Sequence, residues 1–251
     1  MSTVLGIDIG GSGVKGAPVD LTKGDFAADR HRIATPSKST PKNVVRVVGE
    51  IIDHFSGSLD KESPIGITVP APVRHGKIPM MANLDDSWEG LAAEKFFSDE
   101  LGRSVTLVND ADAAGLAEVQ FGAAKGTEGI VILTTLGTGI GTAVINDGVM
   151  LPNTELGHIE VDGHDAESRA AMSVKENEDL SWKEWAKRLQ RYYETMQMLF
   201  WPDLFVVGGG VSKKHEKFLP LLDLETPIVP AQLQNKAGII GAAWLAAERA
   251  R

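Results

Sequence analysis

Two stretches of this chain carry residues whose types and spacing suit the handling of phosphate. GIDIGGSGVKG puts Asp8 at the end of an apolar run, then Gly10, Gly11, Ser12 and Gly13, then Lys15. LTTLGTGIGTA sets Thr135 and Thr138 beside Gly137 and Gly139. A turn dense in glycine leaves backbone N–H groups uncovered, and such groups cradle phosphate oxygens. On that reading Asp8 holds a magnesium ion through water, Ser12 and the two threonines donate hydroxyl hydrogens, and Lys15 supports the same region. A plain tight β-hairpin accounts for either stretch alone. Two with matched surroundings weigh towards phosphate.

The elements that must position these residues are legible from periodicity. Val4–Ile9 and Val14–Val19 are apolar runs on either side of the first glycine turn, which predicts a hairpin. TPKNVVRVVGEIIDHF has Val44, Val47, Val48, Ile51, Ile52 and Phe55 at helical spacing, with Pro41 suited to the first turn. IGITVPAPV and SVTLVND read as strands, and ADAAGLAEVQFG as a helix of small residues. The second glycine stretch opens the second half as another hairpin. In SWKEWAKRLQRYYETMQMLF, Ser181 and Glu184 form a capping box, Trp185, Leu189, Tyr192, Met196 and Leu199 an apolar seam, and Pro202 a stop. DLFVVGGGVSKKHEKF is expected to be a strand, the triple glycine Gly208, Gly209 and Gly210, and a helix. NKAGIIGAAWLAAERA closes the chain as an alanine-rich helix. Strands and helices in alternation predict an α/β protein. A like hairpin at the head of each half predicts two related domains with a cleft between them. The expected division is 1–110 with the helix 236–251, and 111–235.

The bulk numbers bound the function. A chain of 251 residues, 43% hydrophobic and 24% charged, has room for one large domain or two modest ones. It has no cysteine, which excludes disulfides, thiolate nucleophiles and Cys-ligated zinc. The net charge of −9 argues against nucleic acid as a partner. No apolar run approaches the roughly 20 residues of a membrane span. MSTVLGIDIG lacks the regions of a signal peptide, so a cytoplasmic location with no membrane partner is expected. Monomer and homodimer are both open.

GIDIGGSGVKG, VNDADAAGLAE, TTLGTGIGTA, ELGH and VVGGGVS, in that order, resemble the ROK family of sugar kinases along essentially the whole chain. The resemblance implies the actin-like ATPase (ribonuclease H-like) fold, two α/β domains with a central cleft. TTLGTGIGTA and the stretch from Ser181 to Phe218 are similar, within that family, to the bacterial polyphosphate glucokinases. These transfer a phosphoryl group from inorganic polyphosphate, often also from ATP, to the 6-hydroxyl of glucose. Mannose differs from glucose only at carbon 2 and is a further candidate acceptor.

Phosphoryl transfer needs positioning, neutralisation of charge and a group to take the attacking hydroxyl's proton. With the resemblance, Asp110 is the catalytic base; on spacing alone Asn109-Asp110 reads as a helix cap. Asn109 both donates and accepts, which suits a sugar hydroxyl. Glu155 and His158 in ELGH resemble the family's sugar-binding pair, Glu167 in AESRA its further glutamate, and Asn83 in MANLDDSW its sugar-contacting asparagine. Ala71 stands where the family usually has glycine. In most of the family the histidine of ELGH also binds a zinc ion with three cysteines that follow. Here IEVDGHDAESRAA follows, so no zinc site is expected and His158 must be held otherwise. Glu160, Asp162, His164 and Asp165 are the candidates, and the sequence does not choose among them.

Charge is segregated. Across residues 181–217 the seven bases Lys183, Lys187, Arg188, Arg191, Lys213, Lys214 and Lys217 face four acids, a net +3 in a chain of −9. Lys183, Lys187 and Arg191 recur every four residues along one side of a helix. Lys213 and Lys214 are expected in the first turn of the helix after GGGVS, against its dipole, which suggests an external anion. A polyphosphate chain is the candidate; a solvated helix face is the plain alternative. Two other functions compete: an ATP-only kinase in which GGGVS holds adenosine, and a sugar-sensing regulator on the same fold. The acidic charge, and only three residues ahead of Val4 to hold a DNA-binding motif, disfavour the regulator.

Overall fold

The computed structural model describes residues 3–251. The chain divides into two compact units. One runs through Ala117 and is completed by Lys236–Arg251; the other is Glu118–Asn235. Among the described residues no helix is long and apolar enough to cross a membrane.

In the first unit, β1 (Thr3–Gly10) and β2 (Gly13–Asp20) form the expected hairpin, closed by Gly11 and Ser12. β3 (Asp25–Phe26) and β4 (His31–Ile33) pair with β2. α1 (Pro41–His54) has Pro41 in its first turn, as expected, and Thr40 caps it by accepting from the N–H of Asn43. Its buried face holds Val44, Val47, Val48, Ile51 and Ile52. β5 (Ile65–Val69) lies parallel to β1. α2 (Ala93–Leu101) leads to β6 (Val105–Asn109), parallel to β5. The strand order is β3-β2-β1-β5-β6, with β4 on β2. α3 (Asp110–Phe121) follows β6 without a break.

In the second unit, β7 (Ile130–Leu136) and β8 (Ile140–Asn146) form the second hairpin, and β9 (Val149–Leu151) extends it. A short hairpin of β10 (Glu160–Val161) and β11 (His164–Asp165) turns at Asp162 and Gly163. α4 (Glu167–Ala170), α5 (Met172–Asn177) and α6 (Trp182–Phe200) come next. β12 (Leu204–Gly208) pairs parallel with β7, and β13 (Ile228–Pro230) parallel with β12. The order is β13-β12-β7-β8-β9. Counted from its own hairpin, each main sheet therefore runs 3-2-1-4-5 along its strand path. One supersecondary plan has been used twice, which is why the glycine hairpin recurs. α7 (Ala237–Arg249) returns to the first unit and packs on β1 and β5. Gly6, Gly66 and Gly241 make that packing possible: a Cβ at Gly6 would meet the carbonyl oxygen of Ile239, at Gly66 that of Ala242, and at Gly241 that of Ala113.

α6 begins in the capping box of Ser181 and Glu184 and buries Trp185, Leu189, Tyr192 and Met196. Leu199 departs from the expected seam and is 57% exposed. A strict heptad spacing drifts about 20° per heptad around a straight helix, so the fifth member has rotated off the core, and Phe200 packs there instead. The segment after the triple glycine is not the expected α-helix. Gly210–Lys217 is a 3₁₀ turn broken at Lys214, whose φ of −113° and ψ of 20° are not helical.

Two buried polar groups hold the second unit together. Glu118 is 1% exposed, and its carboxylate accepts from the N–H groups of Ala123, Gln232 and Leu233, tying the end of α3 to a segment more than a hundred residues on. The hydroxyls of Thr134 and Tyr193 meet at 2.6 Å in the core, and burial pushes the phenol above its ordinary range. Tyr193→Phe should lower stability by about 1–2 kcal/mol by leaving the Thr134 hydroxyl unpaired, and adding Thr134→Val should recover most of the loss. Urea unfolding of the single and double variants checks this.

Candidate active site

Parallel strands of an α/β sheet present ligands at their carboxyl ends. In the first unit Asp8 on β1 faces Thr68 on β5, and Val69 faces Asn109 on β6, so Asp8 and Asn109 share that edge. Asp8 is well aimed: Lys15, its cross-strand partner, reaches one carboxylate oxygen at 3.0 Å, and the Thr68 hydroxyl donates to the other at 2.9 Å. The Gly11-Ser12 turn is braced by Arg32, whose guanidinium donates to the Ser12 carbonyl at 2.8 Å and fills the space a Cβ at Gly13 would need. Nothing in the sequence singled out Arg32, because its link to the turn is a matter of strand pairing. Asn83 is exposed and comes next to the turn; its carbonyl oxygen lies 3.5 Å from a Cβ built at Gly11.

Asn109 and Asp110 divide the work differently from expectation. The Asn109 side-chain oxygen accepts from the N–H groups of Ala111 and Asp112, and its amide donates to the Ala71 carbonyl at 3.3 Å. Asn109 is thus the cap of α3, with its oxygen spent on two helix donors. Asp110 is the first residue of that helix, exposed, with one oxygen accepting from the Ala111 N–H at 2.8 Å. The helix dipole favours a negative charge at that position.

In the second unit the turn Gly137-Thr138-Gly139 is clasped by its neighbours. Gly137 donates to the Gly139 carbonyl at 3.0 Å, so that amide is already committed. Ser173 at the start of α5 donates from its backbone to Gly137 and from its hydroxyl to the Thr138 carbonyl. The Glu167 carboxylate accepts from Ile140 N–H at 2.7 Å and occupies the space of a Cβ at Gly139. Glu167 is therefore half-buried against the glycine hairpin and is no surface glutamate. Beside it, Gly208 pairs with Thr135, and Gly209, at φ +79°, leaves no room for a Cβ next to the Leu136 backbone. The two glycine turns of this unit are neighbours.

The ELGH turn packs on β8: a Cβ at Gly157 would meet the Ile140 carbonyl, and Leu156 donates from its backbone to the Thr142 hydroxyl at 3.0 Å. Glu155 is exposed, yet desolvation pushes its carboxyl up, His158 opposes this and the Glu167 charge adds to it. His158 is raised chiefly by its hydrogen bond to Asp165, whose carboxylate lies 2.9 Å from Nδ1. Of the four candidates, Asp165 holds the histidine. Asp162 instead binds Arg191, and His164 meets Arg169 at 2.8 Å. The family's zinc ligand set does not fit here, since the chain has no cysteine to complete it.

The basic stretch is less available than its count suggests. Arg191 forms two bonds to Asp162 and a third to Glu194, and Arg188 binds Glu178 at 2.6 Å. The guanidiniums around a cavity of about 250 Å³ between the β10–β11 hairpin and α6 are thus spent on internal partners. Lys183, Lys187, Lys213 and Lys214 are exposed, and Lys217 lies 5.7 Å from the Trp182 ring centre. Because the 3₁₀ turn breaks at Lys214, the argument from a helix dipole at Lys213 and Lys214 falls away.

Comparison with known proteins finds relatives along most of the chain. The ROK family model matches residues 4–173. The polyphosphate glucokinase of Mycobacterium tuberculosis (strain CDC 1551 / Oshkosh) is 49% identical over 240 residues, 95% of this chain and 89% of that protein. The crystal structure of the inorganic polyphosphate/ATP-glucomannokinase of Arthrobacter sp. strain KM superposes with a TM-score of 0.93 at 47% identity, covering 99% of this chain and all of that one. A ROK family glucokinase from Streptomyces griseus, solved with glucose and AMPPNP, shares the fold at a TM-score of 0.82 and 24% identity, over 98% of this chain and 99% of that one. With two mixed α/β sheets in the actin-like sugar-kinase arrangement and the motifs in order, the chain belongs to the ROK family.

Proposed function

We propose that this protein is a hexokinase-type phosphotransferase that moves a phosphoryl group from inorganic polyphosphate, and from ATP, to the 6-hydroxyl of glucose, with mannose as a second acceptor. The 49% identity to a polyphosphate glucokinase over 95% of the chain carries this reading. Asp110 takes the proton of the 6-hydroxyl as its oxygen attacks the terminal phosphorus; the bond to the donor's bridging oxygen breaks, and that oxygen leaves with the shortened polyphosphate or ADP. Asn109 aims Asp110 through the cap it makes. Asn83, Glu155, His158 and Glu167 bind sugar hydroxyls, a set of charged and amide groups that an apolar pocket could not replace. The turns at 10–13, 137–139 and 208–210 bind donor phosphates through backbone N–H groups other than the committed one of Gly137, with Ser12, Thr135, Thr138 and Lys15 adding side-chain donors.

Magnesium suits this donor set. The ion is commonly held by one or two carboxylates, water and substrate phosphates, and Asp8 is a single carboxylate oriented by Lys15 and Thr68. Among the described residues no group of three or more histidines and carboxylates gathers to cage an ion. When bound, magnesium neutralises charge on the phosphates; Asp8 would hold it through water.

The test is glucose 6-phosphate formation with polyphosphate and with ATP, each purified of the other. Product from both supports the reading, and product from ATP alone reduces the protein to an ATP-dependent kinase. The exposed Lys183 and Lys187 make the track for a long polyphosphate. Lys183→Ala with Lys187→Ala should raise KM for long-chain polyphosphate about tenfold, about 1.4 kcal/mol, and KM for ATP much less. Added salt should reproduce the effect by screening exposed charge. Initial rates with both donors check this, and equal rises would mark the lysines as a solvated face.

A further inference from the structure

We propose that Asp165 is a positioning residue that locks His158 in the Nδ1–H tautomer and so presents its Nε2 lone pair as an acceptor for a sugar hydroxyl. The inference rests on the assignment of His158 to the sugar made above. Asp165 Oδ2 lies 2.9 Å from His158 Nδ1, and Oδ1 accepts from the Ser168 N–H at 3.2 Å. Both bonds favour the ionised carboxylate, and the histidine bond is the largest cause holding Asp165 below its ordinary range. An ionised carboxylate has no hydrogen to give, so the hydrogen between the two side chains belongs to Nδ1. In a neutral imidazole the other nitrogen is then the acceptor. An isolated histidine side chain favours the opposite tautomer, so the partner, not the ring, makes the choice.

The carboxylate is itself held in place. Asp165 pairs with Glu160 in the β10–β11 hairpin, and the next residue, Ala166, donates to the Ile159 carbonyl at 3.0 Å. The hairpin turn is moored to α6 by the bonds between Asp162 and Arg191. The Ser168 hydroxyl donates to the Asp165 carbonyl at 2.7 Å. Asp165 thus sits at the head of the turn that delivers Glu167 to the glycine hairpin, and one residue ties two of the proposed sugar ligands together. Where most of the family is expected to hold this histidine with zinc, a carboxylate does so here, as carboxylates orient histidines elsewhere.

The experiment compares Asp165→Ala, Asp165→Asn and His158→Ala with the parent enzyme. Long-range ¹H–¹⁵N spectra of histidine-labelled protein, recorded above the titration of His158, should show the Nδ1–H form in the parent. They should show the same form in Asp165→Asn, whose side-chain oxygen still accepts, and mainly the Nε2–H form in Asp165→Ala. KM for glucose should rise about tenfold in Asp165→Ala, comparable to the lower end of what losing an orienting partner costs at metal-bound histidines. It should rise much less in Asp165→Asn, with KM for the phosphoryl donor unchanged in both. An unchanged tautomer in Asp165→Ala, or an Asn variant as impaired as the Ala variant, overturns the proposal. A normal KM for glucose in His158→Ala is a separate result, and it removes the sugar assignment beneath it.

Discussion

Asp110→Asn is expected to lower kcat by about a thousandfold while changing the Kd for glucose by less than about twofold. General-base catalysis contributes roughly 10²–10⁴ to rate, and a thousandfold corresponds to about 4 kcal/mol of transition-state stabilisation. The substitution isolates that term. Asparagine has the shape of aspartate, and its oxygen can keep the 2.8 Å bond from the Ala111 N–H. Asn109 continues to cap the helix through Ala111 and Asp112, so the start of α3 is preserved. What is lost is the capacity to take a proton from the 6-hydroxyl. Single-turnover rates with polyphosphate and ATP, set beside calorimetric binding of glucose, read the two effects separately. Turnover near that of the parent would remove Asp110 from the mechanism, and a matching loss of glucose binding would make it a ligand of the sugar and no base.

Gly66→Ala should be among the most damaging single methyl additions, lowering stability by about 3 kcal/mol or more. Overpacking a well-filled interior ordinarily costs about 1–3 kcal/mol, and that range assumes side chains that can move aside. Here the new methyl would run into the backbone carbonyl of Ala242 on α7, which cannot rotate away. Gly6 and Gly241 meet the same kind of obstacle at Ile239 and Ala113, so the helix has no free direction in which to withdraw. For a chain of this size the loss amounts to about 10 °C in Tm. Gly57→Ala is the control, since nothing lies within 4 Å of a Cβ there, and it should stay within about 0.5 kcal/mol of the parent. Thermal and urea unfolding measure both. A mild effect at Gly66 would mean that α7 packs on the sheet less closely than its glycines indicate.

The features legible in the sequence are those whose cause lies within a few residues. Ser181 with Glu184 starts α6, because a helix leaves its first N–H groups three or four residues from the cap that satisfies them, and Pro41 suits the first turn of α1, where no N–H is needed. The glycine hairpins declare themselves because paired apolar runs flank a turn rich in glycine. The absence of cysteine removes every thiolate ligand for zinc without any coordinates. Leu199 marks the reach of such reasoning, since a seam spaced in heptads stays on one face only while the accumulated drift is small.

Tertiary structure decided what each charged or polar side chain spends itself on. Asn109 sits beside Asp110 in sequence, yet Asn109 is half-buried with its oxygen accepting from two helix donors, while Asp110 is exposed and accepts from Ala111. Four residues competed for His158 on equal terms until the hairpin brought Asp165 to 2.9 Å. Glu167 reaches Ile140 from 27 residues away, and Glu118 reaches Leu233 from 115. Arg188 and Arg191 counted as free positive charge until Glu178 and Asp162 folded against them. A hydrogen bond or ion pair forms only within about 3 Å and a narrow range of angles. Composition and periodicity place an element on a face or an edge, several ångströms short of that, so which partner a side chain finds is settled only when the sheets and helices have closed around it.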